Sequence, residues 1–369
     1  MRIINVVGAR PNFMKIAPLL SAYETCPRIH PLLVHTGQHY DQRLSDLFFN
    51  QLGIPRPDVN LGVGSASQAV QTAEIMKAFE PVAIDHKPDA VLVVGDVNST
   101  LACGLVAVKL GVKLIHVEAG LRSFDRTMPE EINRLLTDAV SDLLFCTEPS
   151  GVENLRREGV PAERVFLVGN VMIDTLIRHR AQADASAVLD RLGLAAGEYA
   201  VLTLHRPANV DDPAVLGRIL DALEVIQRDT PIVFPAHPRT RRNLHQPPLA
   251  GRLADLPGLR LIEPAGYLDF LKLMADAQAV LTDSGGIQEE TTILGTPCLT
   301  LRDNTERPIT IEAGTNRLVG TRPDRILAAW RETAARPRRP SQPPPLWDGQ
   351  AAGRIVSVLS RLAEDPRWP

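Results

Sequence analysis

The chain has 369 residues, of which 44% are hydrophobic and 22% are charged, and its formal net charge is -3. This length suits two α/β domains of ordinary size better than one large core. The small net charge excludes a bulk attraction to nucleic acid. Because no apolar run approaches the roughly 20 residues of a membrane-spanning helix, and no signal segment precedes the first strand-like run, we expect a cytoplasmic protein with no membrane partner.

The cysteines show neither redox nor metal-ligand spacing. They lie far apart in the chain, with no Cys-x-x-Cys pair and no histidine at zinc-ligand spacing. The four are Cys26, Cys103, Cys146 and Cys298. We therefore expect reduced, buried thiols and no metal site.

Apolar runs that suit buried strands alternate with stretches at helical spacing. In the first half these runs are 3–7, 32–36, 90–94, 114–117 and 143–146, and in the second half 199–204, 231–234, 259–262, 279–282 and 296–301. This alternation predicts an α/β fold with two Rossmann-like domains, each built on a parallel sheet. We place the first domain at 1–170 and the second at 171–349, with a closing helix in 350–369 that packs back on the first domain. Ligands of open α/β sheets bind at the carboxyl ends of the strands, which predicts a central cleft.

Charged residues follow the strands of the first half. Arg10 lies in the loop after 3–7, and Lys15 lies in the first turn of the next helix. Asp96 ends the strand at 90–94, where capping of the next helix is an alternative role. Glu118 follows the strand at 114–117 directly, so its carboxylate is expected to face a ligand.

A helix begins at Pro129, with Glu130 and Glu131 in its first turn. One of these two glutamates can compensate the helix dipole while the other faces the cleft. In the second half, His205 and Arg206 end the strand at 199–204. A histidine at a strand end opposite several carboxylates is a candidate catalytic group.

The clearest strand, turn and helix in the chain is 277–295. Its Asp-Ser-Gly-Gly turn at 283–286 joins a buried strand to a helix whose first N–H groups suit an anion such as phosphate. Ser284 adds a hydroxyl donor, Glu290 can accept hydrogen bonds from a ribose diol, and Arg307 can bind a phosphate with two donors. An ordinary strand-to-helix turn is the alternative. Because no Gly-Lys-Ser/Thr follows, the turn is not a Walker loop.

Together these motifs resemble those of the non-hydrolysing UDP-N-acetylglucosamine 2-epimerases, over residues 3 to about 320. The matching segments are Gly8-Ala-Arg-Pro11 with Lys15, Thr36-Gly-Gln-His-Tyr40, Gly95-Asp96, His116-Val-Glu-Ala-Gly-Leu-Arg122, Pro129-Glu-Glu-Ile-Asn-Arg134, Val168-Gly-Asn170, His205-Arg206, 283–290 and Thr305-Glu-Arg-Pro308. The resemblance implies a GT-B-like fold whose C-terminal helix returns to the first domain. It also implies an isomerase without a cofactor, a UDP-sugar substrate that supplies surface-polysaccharide precursors, and a homodimer.

The resemblance also implies roles for individual residues. Those implied for catalysis are Asp96, Glu118, Glu130 and His205. Those implied for substrate binding are Arg10, Lys15, Phe270, Ser284, Gly285, Gly286, Glu290 and Arg307, with Phe270 near the uracil. Gln38, His39 and His237 match a possible allosteric nucleotide-sugar site.

The sequence departs from the family pattern at two positions. Asn12 replaces a usual carboxylate, and Ala265 replaces a glutamine near the uracil. The residues at 122–126 also resemble those of relatives that epimerise a diacetamido uronic-acid sugar nucleotide. The sequence therefore leaves open which substituents the sugar of the substrate carries.

The chemistry of the sugar narrows the mechanism. Carbon 2 of a UDP-hexosamine has no adjacent carbonyl, so a side chain cannot remove its proton directly. Transient oxidation by a nicotinamide requires a Gly-x-Gly-x-x-Gly turn, which the loop after 3–7 lacks. Elimination of UDP to a glycal, followed by re-addition, needs cations at the diphosphate and carboxylates at carbon 2. A GT-B glycosyltransferase, a hydrolysing epimerase and an inactive sugar-nucleotide regulator are the alternatives.

Overall fold

The structure is a computed structural model that describes residues 1–37, 51–335, 342–365 and 368, with only the backbone of Arg10. The chain forms two compact units. Unit 1 comprises Met1–Arg178 and Pro345–Pro369, and unit 2 comprises His179–Pro344. Within the described residues, no helix is both long and apolar enough to cross a membrane.

Unit 1 is built on a parallel sheet of seven strands in the order β3-β2-β1-β4-β5-β6-β7. The strands are β1 (Arg2–Val7), β2 (His30–His35), β3 (Val59–Asn60), β4 (Ala90–Val94), β5 (Lys113–Ala119), β6 (Leu143–Cys146) and β7 (Val165–Leu167). Every residue of β4 and β6 is buried. Both faces of these central strands are covered, which is why they read as continuous apolar runs without alternation.

Unit 2 is built on a parallel sheet of six strands in the order β10-β9-β8-β11-β12-β13. The strands are β8 (Ala200–Thr203), β9 (Ile232–Pro235), β10 (Leu259–Ile262), β11 (Ala279–Thr282), β12 (Cys298–Thr300) and β13 (Asn316–Leu318). The core of this unit joins β8 and β11 to apolar side chains of the helices at 213–226 and 323–334. The predicted α/β fold with two Rossmann-like parallel sheets is therefore confirmed.

Helices connect the strands in both units. They are α1 (Arg10–Tyr23), α2 (Gln68–His86), α3 (Asn98–Lys109), α4 (Pro129–Val140), α5 (Pro149–Arg157), α6 (Val171–Asp184), α7 (Val188–Leu192), α8 (Pro207–Val210), α9 (Pro213–Ile226), α10 (Pro238–Leu244), α11 (Tyr267–Asp276), α12 (Gly285–Leu294), α13 (Ile309–Glu312), α14 (Pro323–Ala334) and α15 (Ala351–Leu362). Short 3₁₀ turns occur at Ala162–Arg164 and Arg252–Asp255.

The C-terminal helix α15 returns to unit 1 and packs against α1, as predicted. Trp347, in the segment before α15, is buried, and its Nε1 donates to the carbonyl oxygen of Thr147 at 2.9 Å. The carboxylate of Asp174 in α6 accepts from the backbone N–H groups of Ala351 and Ala352 at 3.1 and 2.7 Å. These bonds satisfy the free donors at the start of α15.

Three strands lie outside the sequence-based predictions: β3, β7 and β13. Each has two or three residues, and each occupies the outer edge of its sheet. An edge strand of that length has one neighbour and little buried surface, so it leaves almost no hydrophobic pattern.

Candidate active site

Two neighbouring strands of unit 1 end at acidic residues. Asp96 follows β4 by two positions, and Glu118 is the penultimate residue of β5. The two strands pair in parallel, so their carboxyl ends lie at the same edge of the sheet. The backbone N–H of Gly95 donates to the carbonyl oxygen of Val117 at 3.0 Å, which joins the turns that carry the two carboxylates.

Glu118 has a strained backbone. Its φ is 75°, in the left-handed region, and the pairing of β5 with β6 shifts register between Val117 and Ala119. A non-glycine residue in this region costs on the order of 1–3 kcal/mol and persists where its surroundings hold it, often at functional sites. The bulge therefore sets the direction of the Glu118 side chain against the regular alternation of the strand.

The carboxylate of Glu118 forms a buried ion pair with Nζ of Lys15 from α1. Lys15 also explains the glycine before Asp96. A Cβ placed on Gly95 would lie 2.7 Å from Nζ of Lys15, and the φ of Gly95 is 70°. Glycine is the residue that tolerates both this backbone and this close approach.

Arg134 connects Asp96 to the start of α4. Its guanidinium is buried and donates to Oδ2 of Asp96 and to Oε2 of Glu131, both at 2.5 Å. Glu131 also accepts from the backbone N–H groups of Ser123 and Phe124 at 2.9 Å each. Burial alone would raise the pKa of Glu131, but the bonds from Ser123 and Arg134 hold it below its usual value. Of the two adjacent glutamates, Glu131 therefore belongs to the scaffold, whereas Glu130 is half-buried in the first turn of α4.

In unit 2, the turn from Ser284 to Gly286 joins β11 to α12. Ser284 occupies the N-cap position, and Gly285 and Gly286 begin the helix. A Cβ on Gly285 would collide with the guanidinium of Arg307 and the carboxylate of Glu306. Glycine at this position lets Arg307 lie against the helix N-terminus, where a bound anion would meet both.

Three arginines surround buried carboxylates beneath this turn. Nε of Arg307 donates to Glu289 at 2.7 Å, and its Nη1 donates to Glu306. Glu306 also accepts from Nη2 of Arg302 at 2.8 Å and lies 3.6 Å from Nη2 of Arg206. Three guanidinium groups thus meet at two buried carboxylates. Such a cluster beside a helix N-terminus suits a diphosphate.

His205 lies two residues beyond β8, and Asp283 lies directly beyond β11. Nδ1 of His205 is 2.9 Å from Oδ1 of Asp283. Asp283 is fully buried and also accepts from the backbone N–H of Arg206 at 3.0 Å and from Nδ2 of Asn209 at 3.2 Å. Burial would raise the pKa of Asp283, but His205 and the backbone donors lower it overall. The ring of His205 is 56% exposed, so Nε2 is the nitrogen left to meet a ligand.

Glu290 lies one turn further along α12 and is buried. It accepts a hydrogen bond from the hydroxyl of Tyr267 at 3.2 Å. Burial raises the pKa of Glu290 to about 8, so the unliganded carboxyl is largely protonated at neutral pH. Phe270 lies on the same helix as Tyr267 and is half-buried.

With this geometry established, similarity to known proteins identifies the family. The family described as UDP-N-acetylglucosamine 2-epimerase matches residues 21–360. The UDP-N-acetylglucosamine 2-epimerase of Methanocaldococcus jannaschii is 40% identical over 371 residues, which cover 98% of this chain and 99% of that protein. The chain belongs to the UDP-N-acetylglucosamine 2-epimerase family. It is therefore an epimerase of the isomerase class, as predicted.

Two further comparisons bear on fold and substrate within the epimerase family. The crystal structure of the Methanocaldococcus jannaschii enzyme in complex with UDP-GlcNAc and UDP superposes with a TM-score of 0.92, covering 98% of this chain and 100% of that one at 40% identity. The UDP-2,3-diacetamido-2,3-dideoxy-D-glucuronate 2-epimerase of Pseudomonas aeruginosa is also 40% identical, over 366 residues, which cover 98% of this chain and 100% of that protein. The GT-B-like fold expected of an epimerase of this family is thus confirmed.

Some residues predicted for this epimerase fall outside the described structure. They are Gln38, His39 and the side chain of Arg10. His237 is exposed, and its Nδ1 accepts from the backbone N–H of Arg239 at 3.3 Å, so its ring caps the start of α10. An allosteric role for these residues stays a prediction. Within 1–37, 51–335 and 342–365, no group of three or more His, Cys, Asp or Glu side chains could hold a metal ion.

Sequence reasoning missed three residues that support the predicted site of this epimerase: Arg134, Asp283 and Glu306. Arg134 follows Glu131 by three positions on a helix, which is the spacing of an ion pair. Asp283 directly follows β11, so its position at the end of a strand was a signal. Glu306 also has a local signal, because Arg302 precedes it by four residues and Arg307 follows it directly, whereas its partner Arg206 is remote in sequence.

Proposed function

We propose that this epimerase interconverts UDP-N-acetylglucosamine and UDP-N-acetylmannosamine through a 2-acetamidoglucal intermediate. The observation that carries the proposal is the grouping of Asp96, Glu118 and Glu130. Asp96 and Glu118 stand at the ends of paired strands, and Arg134 bonds both Asp96 and the neighbour of Glu130. Carboxylates so grouped suit removal of a proton from one face of carbon 2 and its return to the other.

The reaction has two balanced steps. The C1–O bond first breaks, and its electron pair leaves with UDP while a carboxylate takes the proton from carbon 2, which forms the C1–C2 double bond. A proton then adds to the opposite face of carbon 2, and an oxygen of UDP bonds to C1 again. Breaking the C1–O bond is the energetically difficult step, so the main requirement is to stabilise the departing diphosphate.

The second unit supplies groups that suit this requirement. The N-terminus of α12, the cluster around Arg307 and the ring of His205 all favour negative charge. We assign the diphosphate to these groups, the ribose diol to Glu290 and the uracil to the vicinity of Phe270. Lys15 holds Glu118 in unit 1.

A second substrate is favoured by a specific observation. The Pseudomonas aeruginosa relative, named for a UDP-diacetamido-glucuronate sugar, matches this chain as closely as the Methanocaldococcus jannaschii enzyme does, at 40% identity. Both sugars carry a 2-acetamido group next to the anomeric carbon, so the same elimination applies to either. Purified protein should therefore be incubated with each sugar nucleotide in turn, and the larger kcat/KM identifies the substrate.

One experiment tests the reaction itself. A proton NMR time course with UDP-N-acetylglucosamine in heavy water should show deuterium at carbon 2 of both epimers, with traces of free UDP and glycal. A glycosyltransferase would retain the proton and require an acceptor, whereas a binding protein would change nothing. Retention of the original proton in the manno product would falsify the elimination.

We also propose that two copies of the chain associate. Adjacent helices α2, α3 and α4 of unit 1 expose large apolar side chains. These are Val70, Ile84, Val108 and Leu136, which are 53%, 51%, 38% and 47% exposed. A homodimer that covers this face explains them. Light scattering should give twice the chain mass, and Ile84→Glu with Val108→Glu should shift it to the monomer mass; a monomeric parent protein would exclude the dimer.

A further inference from the structure

His116, in the middle of β5, is fully buried, and both of its ring nitrogens have an oxygen partner. Nδ1 lies 2.6 Å from Oδ1 of Asp138 on α4. Nε2 lies 2.8 Å from the carbonyl oxygen of Gly95. A carbonyl oxygen cannot donate, and an ionised carboxylate cannot donate either.

The ring therefore bridges two segments of unit 1, the turn after β4 and the helix α4, with an oxygen of each within hydrogen-bond distance of a ring nitrogen.

The surroundings of Asp138 keep it ionised. Burial alone would raise its pKa, but His116 and Arg122 hold it below the ordinary value. Nη1 of Arg122 lies 2.7 Å from Oδ2 of Asp138, and the guanidinium also bonds Glu158 at 2.8 and 2.7 Å. Arg122 thus lies between two carboxylates, Asp138 and Glu158, and burial raises the pKa of the Cys146 thiol on β6 beside them.

We infer that His116 is a positioning residue that holds the three proposed catalytic carboxylates in register. Its Nε2 contacts the carbonyl oxygen of Gly95, the residue directly before Asp96. Its own strand carries Glu118 two positions later. Its Nδ1 contacts Asp138 on α4, the helix whose first turn carries Glu130.

A further bond closes this network. Oδ2 of Asp138 accepts the backbone N–H of Gly120 at 3.0 Å, immediately beyond the strained Glu118. The carboxylate therefore ties the end of β5 to α4, while the ring ties β5 to the turn after β4. Loss of either ring contact would release one of these connections. This inference rests on the proposed epimerisation: a parent protein that does not exchange the carbon 2 proton would contradict the epimerisation, whereas the variants below test the positioning.

Kinetics test the positioning role. His116→Gln and Asp138→Asn should lower kcat by about 10- to 100-fold, since a misplaced catalytic group costs up to about two orders of magnitude. KM and UDP affinity should change less than about twofold, and more glycal and free UDP should escape per turnover.

His86→Gln, on the exposed end of α2, is the matched control and should behave as the parent protein does. Folded variants with unchanged kcat and unchanged glycal release would show that the ring does not position the carboxylates. A loss confined to thermal stability would lead to the same conclusion.

Discussion

Oδ1 of Asp283, beyond β11, lies 2.9 Å from Nδ1 of His205, beyond β8, and this contact joins two neighbouring strands of the second sheet at their carboxyl ends. The carboxylate accepts the hydrogen bond from Nδ1–H, which leaves Nε2 to contact the ligand. Because Asp283 also accepts from the backbone of His205 and Arg206, it fixes the main chain as well as the ring.

Asp283→Asn should lower kcat by about tenfold or more, because the amide cannot hold Nδ1–H and the adjacent backbone donors equally well. Steady-state kinetics of the variant and the parent protein measure this effect. The exposed Asp229→Asn is the control, and an Asp283→Asn variant with the parent kcat would show that Asp283 does not orient the ring.

Substitutions of the two adjacent glutamates of α4 should have different effects on stability and on catalysis. Glu131→Gln should cost about 3 kcal/mol of unfolding free energy, because it leaves the buried guanidinium of Arg134 with one fewer carboxylate. Glu130→Gln should cost less than about 0.5 kcal/mol but lower kcat by about 100-fold. Urea denaturation and kinetics of both variants provide the measurement.

Equal stability losses in the two variants would contradict this division of roles. The pH dependence supplies a second check on Glu131. Its pKa is lowered in the folded protein, so its stabilisation is present above the unfolded value of about 4.3 and is lost as the pH falls through the folded pKa.

Arg307→Lys should weaken UDP binding by about 10- to 100-fold. The substitution retains the charge that balances Glu289 and Glu306 but removes the planar fork that a diphosphate engages. Calorimetry with UDP is the measurement, and Arg317→Lys, at an exposed ion pair with Glu332, is the control. Unchanged affinity in Arg307→Lys would remove the diphosphate from this cluster.

UDP binding should release protons near neutral pH. The pKa of Glu290 is about 8 in the unliganded protein because of burial, and a ribose diol that donates to this carboxyl favours its ionised form. UDP affinity should therefore rise with pH up to about 8 and level off above it. Calorimetry in buffers of different ionisation enthalpy counts the protons, and Glu290→Gln should abolish both the release and the pH dependence; release that persists in this variant would assign it to another group.

Asp174 should make the closing helix sensitive to pH. Burial raises its pKa to about 6, above an unfolded value of about 3.9. The folded state therefore binds the proton more tightly, so this group favours folding most below about pH 4, and its contribution decreases as the pH rises to about 6. The unfolding free energy of Asp174→Asn should lack this decrease, and urea titrations from pH 4 to 8 compare the two; parallel curves would contradict the raised pKa.

The hydrophobic pattern of the sequence was sufficient to predict the central strands of both sheets. Buried parallel strands such as β4 and β11 are continuous apolar runs followed by polar turns, and each was predicted at its observed position because burial on both faces leaves that pattern in the residues themselves. The closing helix was predicted within 350–369, but its start at Ala351 depends on Asp174, a residue remote in sequence that satisfies its first N–H groups.

The residues of the candidate site likewise fall into those that the sequence identified and those that only the folded structure identified. Glu118, Ser284 and Arg307 could be selected from the sequence because each stands in a motif or directly beyond a strand. The choice between Glu130 and Glu131 could not be made there, because the two differ in partners rather than in type, and only Arg134 and the turn at Ser123 distinguish them. The positioning role of His116 likewise depends on two oxygens, of Gly95 and Asp138, that are 21 and 22 residues away in the chain. Local sequence determines backbone conformation and burial, whereas charge state and side-chain role depend on contacts that exist only after the chain has folded.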